Sequence, residues 1–136
     1  MTYNGDGITS DLVDAYNHSG KSQLSFMEIN GSNISNYGVL VPGKKDGEVA
    51  GLIEKPDLEF APSNKASIGR YVLSPNIFEI LRNVKPGFGN EIQLSDAINA
   101  LAKQGQVEAV KLNGERFDCG VMSGYISAII NQYNKI

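Results

Sequence analysis

The chain has 136 residues, of which 41% are hydrophobic and 20% charged, which predicts a single domain over residues 1–136 and excludes a disordered or fibrous protein. Its net charge of -3, without a Lys/Arg cluster, argues against nucleic acid as a partner, and apolar runs far below ~20 residues indicate a cytoplasmic protein without a membrane segment. One cysteine and one histidine exclude an internal disulfide and give no basis for a zinc centre.

The first half of the chain predicts a helix followed by strands. After a turn-rich lead over residues 4–7, Ser10 is suited to cap a helix that ends near Gly20. Strands are predicted at residues 22–29, 37–41 and 48–55. The turn at residues 42–47 makes the last two an antiparallel hairpin, and residues 57–64 predict a loop.

The second half returns to a strand and then alternates helices with short strands. Ser74 and Pro75 are typical of a helix start, and the apolar spacing over residues 91–105 predicts a helix that stops at Gly105. Strands at 107–112 and 115–117, a two-residue hairpin turn at Asn113-Gly114 and a helix at 123–133 complete the chain. The predicted fold class is therefore α/β, a mixed sheet with flanking helices.

One short stretch, Glu54-Lys55-Pro56, places a carboxylate beside an ammonium at the end of a predicted strand. Open α/β sheets usually bind their ligands at the carboxyl ends of strands. A carboxylate accepts hydrogen bonds from sugar hydroxyls, and an ammonium pairs with a phosphate, so the pair suits a sugar phosphate. An ordinary pair of surface charges at a strand end is the alternative.

A second candidate is Asp118, between a predicted strand and the last helix. Its carboxylate is placed to reach a divalent ion bound to phosphates, and the alternative is an aspartate that caps the last helix. We expect the adjacent Cys119 to be a small core residue, because no base stands near it to activate a nucleophile.

Two glycines, Gly38 and Gly69, lie within strand-like segments. Glycine in a strand often marks a close approach of the backbone to a ligand, and a β-bulge explains either position equally well.

Together these elements resemble a known family. The motifs, in order, are YGV, GLIEKP, APSNKASIGRYVLSPNIFEIL, PGFGNEIQLSDAI and RFDCGVMSGYISA. They resemble the carboxyl-terminal half of bacterial UTP-glucose-1-phosphate uridylyltransferases, closely over residues 35–130 and loosely over 8–34. These enzymes are sugar nucleotidyltransferases, whose fold joins a Rossmann-like nucleotide half to a sugar-binding half.

The resemblance implies specific roles for the candidate residues. Glu54 would bind sugar hydroxyls, Lys55 would bind the sugar phosphate as the catalytic lysine, and the backbone at Gly38 and Gly69 would line the sugar pocket. Asp118 would be one of two aspartates that hold Mg²⁺. The implied ligands are glucose 1-phosphate and UDP-glucose.

The chain also departs from the family pattern. The nucleotide half, with its phosphate loop and first metal aspartate, has no counterpart in this sequence, and Met122 stands where the family has lysine. Lys65 and Ser67 replace residues that are usually apolar. We therefore expect a sugar-phosphate half-site that is not catalytically competent alone.

Two further alternatives involve other chains. The chain could be a non-catalytic structural or interaction module, and we expect it to self-associate as a homo-oligomer through an uncovered sheet edge and apolar surface. It could also assemble with a separate nucleotide-binding chain into an active enzyme.

Overall fold

The computed structural model describes residues 2–3 and 7–136, so most of the predicted turn-rich lead lies outside the described residues. The strands are β1 Thr2–Tyr3, β2 Ser22–Glu28, β3 Gly38–Pro42, β4 Val49–Glu54, β5 Lys65–Val72, β6 Val107–Lys111 and β7 Gly114–Glu115. The α-helices are α1 Ile8–Ser19, α2 Ile77–Asn83, α3 Leu94–Lys103 and α4 Met122–Tyr133. Short 3-10 turns occupy Ser32–Asn36, Leu58–Phe60 and Phe88–Asn90.

Five strands form one mixed sheet in the order β4-β3-β5-β2-β6. The β2–β6 pair is parallel, whereas the pairs β2–β5, β3–β4 and β3–β5 are antiparallel. β1 and β7 form a separate antiparallel pair. The predicted α/β class with a mixed sheet is confirmed, and so is the β3–β4 hairpin.

β2 is an inner strand, and its sequence reflects burial on both faces. Every residue from Ser22 to Phe26 is buried, including the polar ones. The two serine hydroxyls find backbone partners in or just after the neighbouring strand β5. The Ser22 Oγ accepts the Ser74 N–H at 2.9 Å, and the Ser25 Oγ donates to the Arg70 carbonyl at 2.7 Å. Small polar residues therefore replace apolar ones where a backbone group needs a partner.

A bulge interrupts the β2–β5 pairing. Leu24 pairs with Tyr71 and Phe26 with Ser67, so Ser25 alone lies opposite the three residues 68–70. Gly69, inside this bulge, has φ +75°, a left-handed conformation that strains other residues.

The described residues form three clusters of buried side chains, two of which pack helices α1 to α3 on the sheet, while the third joins Ile34, Val39 and Ala66. α3 contributes the largest helical share of the first cluster, through Ala97, Ile98, Leu101 and Ala102. α1 supplies Ile8 and Leu12 to the second. The predicted end of α3 is confirmed, because Gly105 has φ +69° and its N–H donates to the Ala102 carbonyl.

Three predicted helix starts were wrong, and one of them is that of α3, which begins at Leu94 with Gln93 at the N-cap rather than at residue 91. α1 begins at Ile8 with Gly7 at the N-cap, and the Gly7 carbonyl accepts the Asp11 N–H at 3.1 Å. α2 begins at Ile77 with Asn76 as its N-cap, because residues 75–76 form a turn before the helix.

The predicted hairpin at Asn113-Gly114 was also wrong. β6 pairs in parallel with β2, and the Leu112 N–H continues this by donating to the Phe26 carbonyl at 2.8 Å. β7 pairs instead with β1, and the predicted strand at 115–117 stops at Glu115. The buried strand β2 offers β6 a better partner than a local turn does.

α4 differs from the other long helices because none of its residues is buried. Its large apolar side chains are Met122, Tyr125, Ile126, Ile129, Ile130 and Tyr133, each about half or more exposed. No helix in the described part of the chain is long and apolar enough to span a membrane.

Candidate functional site

The β3–β4 hairpin places Gly38 directly opposite Glu54. A Cβ atom on Gly38 would lie 3.1 Å from the Glu54 Oε1 and 3.2 Å from the Leu52 Cδ1. The Glu54 carboxylate therefore extends across Gly38, and the absence of a side chain there leaves room for it. The close approach expected at this glycine involves the chain's own glutamate.

Lys55 has an unusual backbone. Its φ is +44°, in the left-handed region that non-glycine residues rarely adopt, although a residue before proline normally takes an extended conformation. Its N–H donates to the Tyr37 carbonyl at 3.0 Å, and Pro56 behind it is buried. The surrounding structure thus holds Lys55 in a strained conformation and fixes the direction in which β4 ends.

Glu54 and Lys55 border an open cleft between β4 and α3. The cleft has a volume of about 690 Å³, within the ~300–1,000 Å³ typical of small-molecule sites. It is lined by Leu52, Ile53, Glu54 and Lys55 from β4 and its end, and by Gln93, Ser95, Asp96 and Asn99 from the start of α3. Its walls combine two carboxylates, from Glu54 and Asp96, with the Lys55 ammonium and neutral polar groups, so the cleft offers both hydrogen-bond acceptors and one cation to a polar ligand.

Gly69 lies at the same end of the sheet as this pair. Val39 of β3 pairs with Ala66 of antiparallel β5, so the chain after Ala66 runs past Gly38 towards the end of the sheet. Nothing lies within 4 Å of a Cβ built on Gly69. The conformation of the bulge, rather than a crowded neighbour, accounts for glycine here.

Asp118 lies in a turn that precedes α4. The residue is exposed, and its Oδ1 accepts the Gly120 N–H at 3.0 Å. The alternative in which Asp118 caps α4 was wrong, because the N-cap is Val121. A Cβ on Gly124 would overlap the Asp118 backbone carbonyl, so α4 packs directly against this turn.

Arg116 connects the Asp118 segment to the β3–β4 end. Its Nη1 donates to the Tyr37 hydroxyl at 3.3 Å, and its guanidinium lies 5.3 Å from the centre of the Tyr37 ring. The Tyr37 carbonyl in turn accepts the Lys55 N–H. Sequence reasoning missed Arg116, and the one signal that could have found it is its position two residues before Asp118.

The residues at Asp118 do not by themselves form a magnesium site. Within residues 2–3 and 7–136, no group of three or more His, Cys, Asp or Glu is placed to hold a metal ion. Asp118 offers one carboxylate, whereas Mg²⁺ takes six oxygen ligands, some of them water or substrate phosphates. Cys119 is exposed, so the expectation of a core cysteine was wrong.

Known proteins establish the class. A nucleotidyl transferase family model matches residues 4–135, so the chain belongs to the nucleotidyl transferase family. It is 43% identical over 128 residues to a UTP--glucose-1-phosphate uridylyltransferase of Pseudomonas aeruginosa, which covers 91% of this chain and 46% of that protein. A protein of the same name from Staphylococcus epidermidis is 42% identical over 122 residues, 88% of this chain and 42% of its own length.

Solved structures agree with this assignment. A UDP-glucose pyrophosphorylase complexed with UDP-glucose superposes with a TM-score of 0.86 at 37% identity, over 100% of this chain and 53% of that one. A structure of an apo-UDP-glucose pyrophosphorylase gives a TM-score of 0.87 at 38% identity, over 99% of this chain and 50% of that one. The chain spans about half the length of these relatives. The resemblance and the fold predicted from the sequence are confirmed.

Proposed function

We propose that this chain carries the sugar-phosphate half of a uridylyltransferase site and binds glucose 1-phosphate, or the sugar end of UDP-glucose, in the cleft between β4 and α3. The supporting observation is the placement of Glu54 and Lys55 side by side at the end of β4, with both bordering a cleft of about 690 Å³. The chain's similarity to UTP--glucose-1-phosphate uridylyltransferases gives the ligand class.

The residues have distinct proposed roles. The Glu54 carboxylate accepts hydrogen bonds from sugar hydroxyls, and the Lys55 ammonium pairs with the phosphate. Gly38 and Gly69 expose backbone at the same end of the sheet, where a Cβ would narrow the site or strain the bulge.

In the proposed reaction, a phosphate oxygen of glucose 1-phosphate forms a bond to the α-phosphorus of UTP. The bond between that phosphorus and the bridging oxygen breaks, and pyrophosphate leaves with the electron pair. Lys55 contributes by holding the sugar phosphate in line and reducing its charge repulsion. Mg²⁺, when bound, supplies further charge neutralisation, and Asp118 would provide one of its ligands.

The described residues supply one side of this site. We propose that the chain acts as one domain in the cytoplasm, that it does not make UDP-glucose unaided, and that nucleotide-binding residues come from another polypeptide or from further sequence of a longer protein. Mixing the chain with a nucleotide-binding half from a relative should restore formation of UDP-glucose, and a Lys55→Ala variant in the same mixture should not.

The two proposed roles are separable by ligand-observed NMR. Lys55→Gln should lose binding of glucose 1-phosphate while leaving any weak binding of glucose unchanged. Glu54→Gln should weaken both. Lys44→Gln, a change of the same type in the β3–β4 turn, is the control. Equal binding of glucose 1-phosphate by all three variants would contradict the assignment.

A second function, self-association, is favoured by α4. With 3.6 residues per turn, Met122, Ile126, Ile129 and Tyr133 fall on one side of α4, while Gly124 and Asn131 fall on the other. The second side contacts the body, because Gly124 packs on Asp118 and the Asn131 Nδ2 donates to Glu115 at 2.6 Å.

We propose that a second copy of this chain covers the outward side of α4, the apolar stripe. α4 carries no charged residue, so two copies related by a two-fold axis would pair without repulsion. With the adjoining Val121 and Ile136, the stripe offers on the order of several hundred Å², approaching the ~800 Å² per partner of stable interfaces.

Light scattering tests this second proposal. The wild-type chain should be a dimer at micromolar concentration, and Ile129→Glu should be a monomer. Ser123→Glu introduces the same charge outside the apolar stripe and should remain a dimer. A monomeric wild type at high concentration would rule out self-association through α4.

A further inference from the structure

Asn99 of α3 forms hydrogen bonds to both backbone groups of Leu52 in β4. Its Oδ1 accepts the Leu52 N–H at 2.6 Å, and its Nδ2 donates to the Leu52 carbonyl at 3.0 Å. β4 is the last strand at its side of the sheet, so this is its outer edge. One side chain thus makes the pair of bonds that a residue of a neighbouring antiparallel strand would make.

Two features position this amide. Gly51 leaves space for it, since a Cβ on Gly51 would lie 3.2 Å from the Asn99 Oδ1. The helix is held in place by the buried Ile98 and Leu101 of the first core cluster. Asn99 therefore projects from a fixed helix onto the edge of β4.

The contact lies next to the candidate site. Leu52 precedes Glu54 by two residues, and the other edge of β4 is held by β3, whose preceding residue Tyr37 accepts the Lys55 N–H. The end of β4 is thus held from both edges. A strained residue such as Lys55 keeps its conformation where the surrounding structure determines it.

We propose that Asn99 is a positioning residue, which holds the end of β4 so that Glu54 and Lys55 keep the geometry needed for the ligand. The ligand part of this inference rests on the proposed function, whereas the positioning part does not. The Asn99 Oδ1 and Nδ2 are each bonded to Leu52, so Asn99 acts on the strand end, and measurements on the ligand-free chain separate this action from direct ligand contact by a side chain that also lines the cleft.

The test is Asn99→Ala, compared with Asn83→Ala, which removes an exposed asparagine whose amide bonds only within α2. In the ligand-free chain, Asn99→Ala should shift the backbone amide resonances of Glu54 and Lys55 and accelerate hydrogen exchange at Leu52. Its affinity for glucose 1-phosphate should fall about tenfold. Asn83→Ala should change neither property. Asn99→Asp keeps an acceptor for the Leu52 N–H but sets a carboxylate oxygen against the Leu52 carbonyl in place of the Nδ2 donor, so the Leu52 protection should stay below that of wild type.

The outcomes separate the two claims. Unchanged Glu54 and Lys55 resonances in Asn99→Ala would overturn the positioning role, as would unchanged affinity. If wild-type protein binds no sugar phosphate, the proposed function fails, and the ligand-free resonances still decide the role of Asn99. If Asn99→Ala does not fold, Gly51→Ala, which pushes on the Asn99 Oδ1, should shift the same resonances, and their constancy would overturn the inference.

Discussion

Two regions of the molecule that carry candidate site residues are built very differently. The β4–α3 region, which bears Glu54 and Lys55, combines a hydrogen-bonded hairpin with a helix anchored in the core. The Asp118–α4 segment contacts the body mainly through its polar side and leaves large apolar side chains exposed. The first region has its geometry fixed by hydrogen bonds and core packing, whereas none of the residues of α4 in the second is buried.

The largest expected effect is on the free energy of unfolding, when one apolar side chain is truncated in each region. Leu101→Ala, which empties a site that is 1% exposed in the core, should lower the free energy of unfolding by about 2–5 kcal/mol. Ile129→Ala, at a site 51% exposed on α4, should change it by less than about 0.5 kcal/mol in a monomeric background such as very dilute protein. Urea denaturation measures both, and similar losses would mean that α4 is part of the core.

The next prediction concerns the joint between α4 and the Asp118 turn. Gly124→Ala forces a side chain against the Asp118 carbonyl and should destabilise the packing of α4 on this turn by about 1–3 kcal/mol. Because α4 has few other contacts, the variant should show faster hydrogen exchange in α4 while exchange around Leu101 stays slow. Ser123→Ala is the control, and unchanged α4 protection in Gly124→Ala would contradict the packing described here.

A smaller effect is expected from the strained lysine. Asparagine tolerates the left-handed region better than lysine does, so Lys55→Asn should raise the free energy of unfolding by about 0.5–1 kcal/mol while reducing binding of glucose 1-phosphate. Lys44→Asn, at a position without a positive φ, should leave both unchanged. Loss of stability in Lys55→Asn relative to that control would show that the backbone of Lys55 is not strained.

The smallest effect involves Glu108 in β6. Partial burial raises the pKa of its carboxyl, but hydrogen bonds from Gln23 and neighbouring side chains, together with the Lys21 charge, outweigh burial and lower the pKa below its usual 4.5. A lowered folded-state pKa adds stability above the unfolded-state pKa, and this contribution is lost as the pH falls through the folded-state value.

Glu108→Gln should therefore be less stable than wild type at pH 7, by under about 1 kcal/mol, and the difference should shrink as the pH falls below 4.5 and through the lowered folded-state pKa. Urea midpoints at several pH values measure this. Glu59→Gln, at an exposed glutamate of the loop after β4, is the control that removes a carboxylate without the Gln23 and Lys21 contacts. A constant difference across the pH range would exclude the ionised carboxylate as its cause.

Local patterns in the sequence predicted the regions whose partners are close along the chain. The alternation around residues 37–55 gave the β3–β4 hairpin, and the spacing of Ala97, Ile98 and Leu101 gave α3. Asn113-Gly114 was misleading because the parallel partner of β6 is β2, more than eighty residues earlier, and no local pattern encodes that pairing.

The candidate site was also predictable only where its residues are adjacent in the sequence. Glu54 and Lys55 stand in a recognisable motif, and the structure brings them to one cleft. Asn99 and Arg116 were missed, because an asparagine on a helix and an arginine in a loop acquire a role only through the tertiary contacts they make.

The most direct test of the sugar-phosphate site is isothermal titration of the chain with UDP-glucose and with glucose 1-phosphate. Wild-type protein and a Glu59→Ala, Lys44→Ala double variant should bind both ligands, and a Glu54→Ala, Lys55→Ala double variant should bind neither. Absence of binding by folded wild-type protein at millimolar ligand, or equal binding by both double variants, would contradict the central claim.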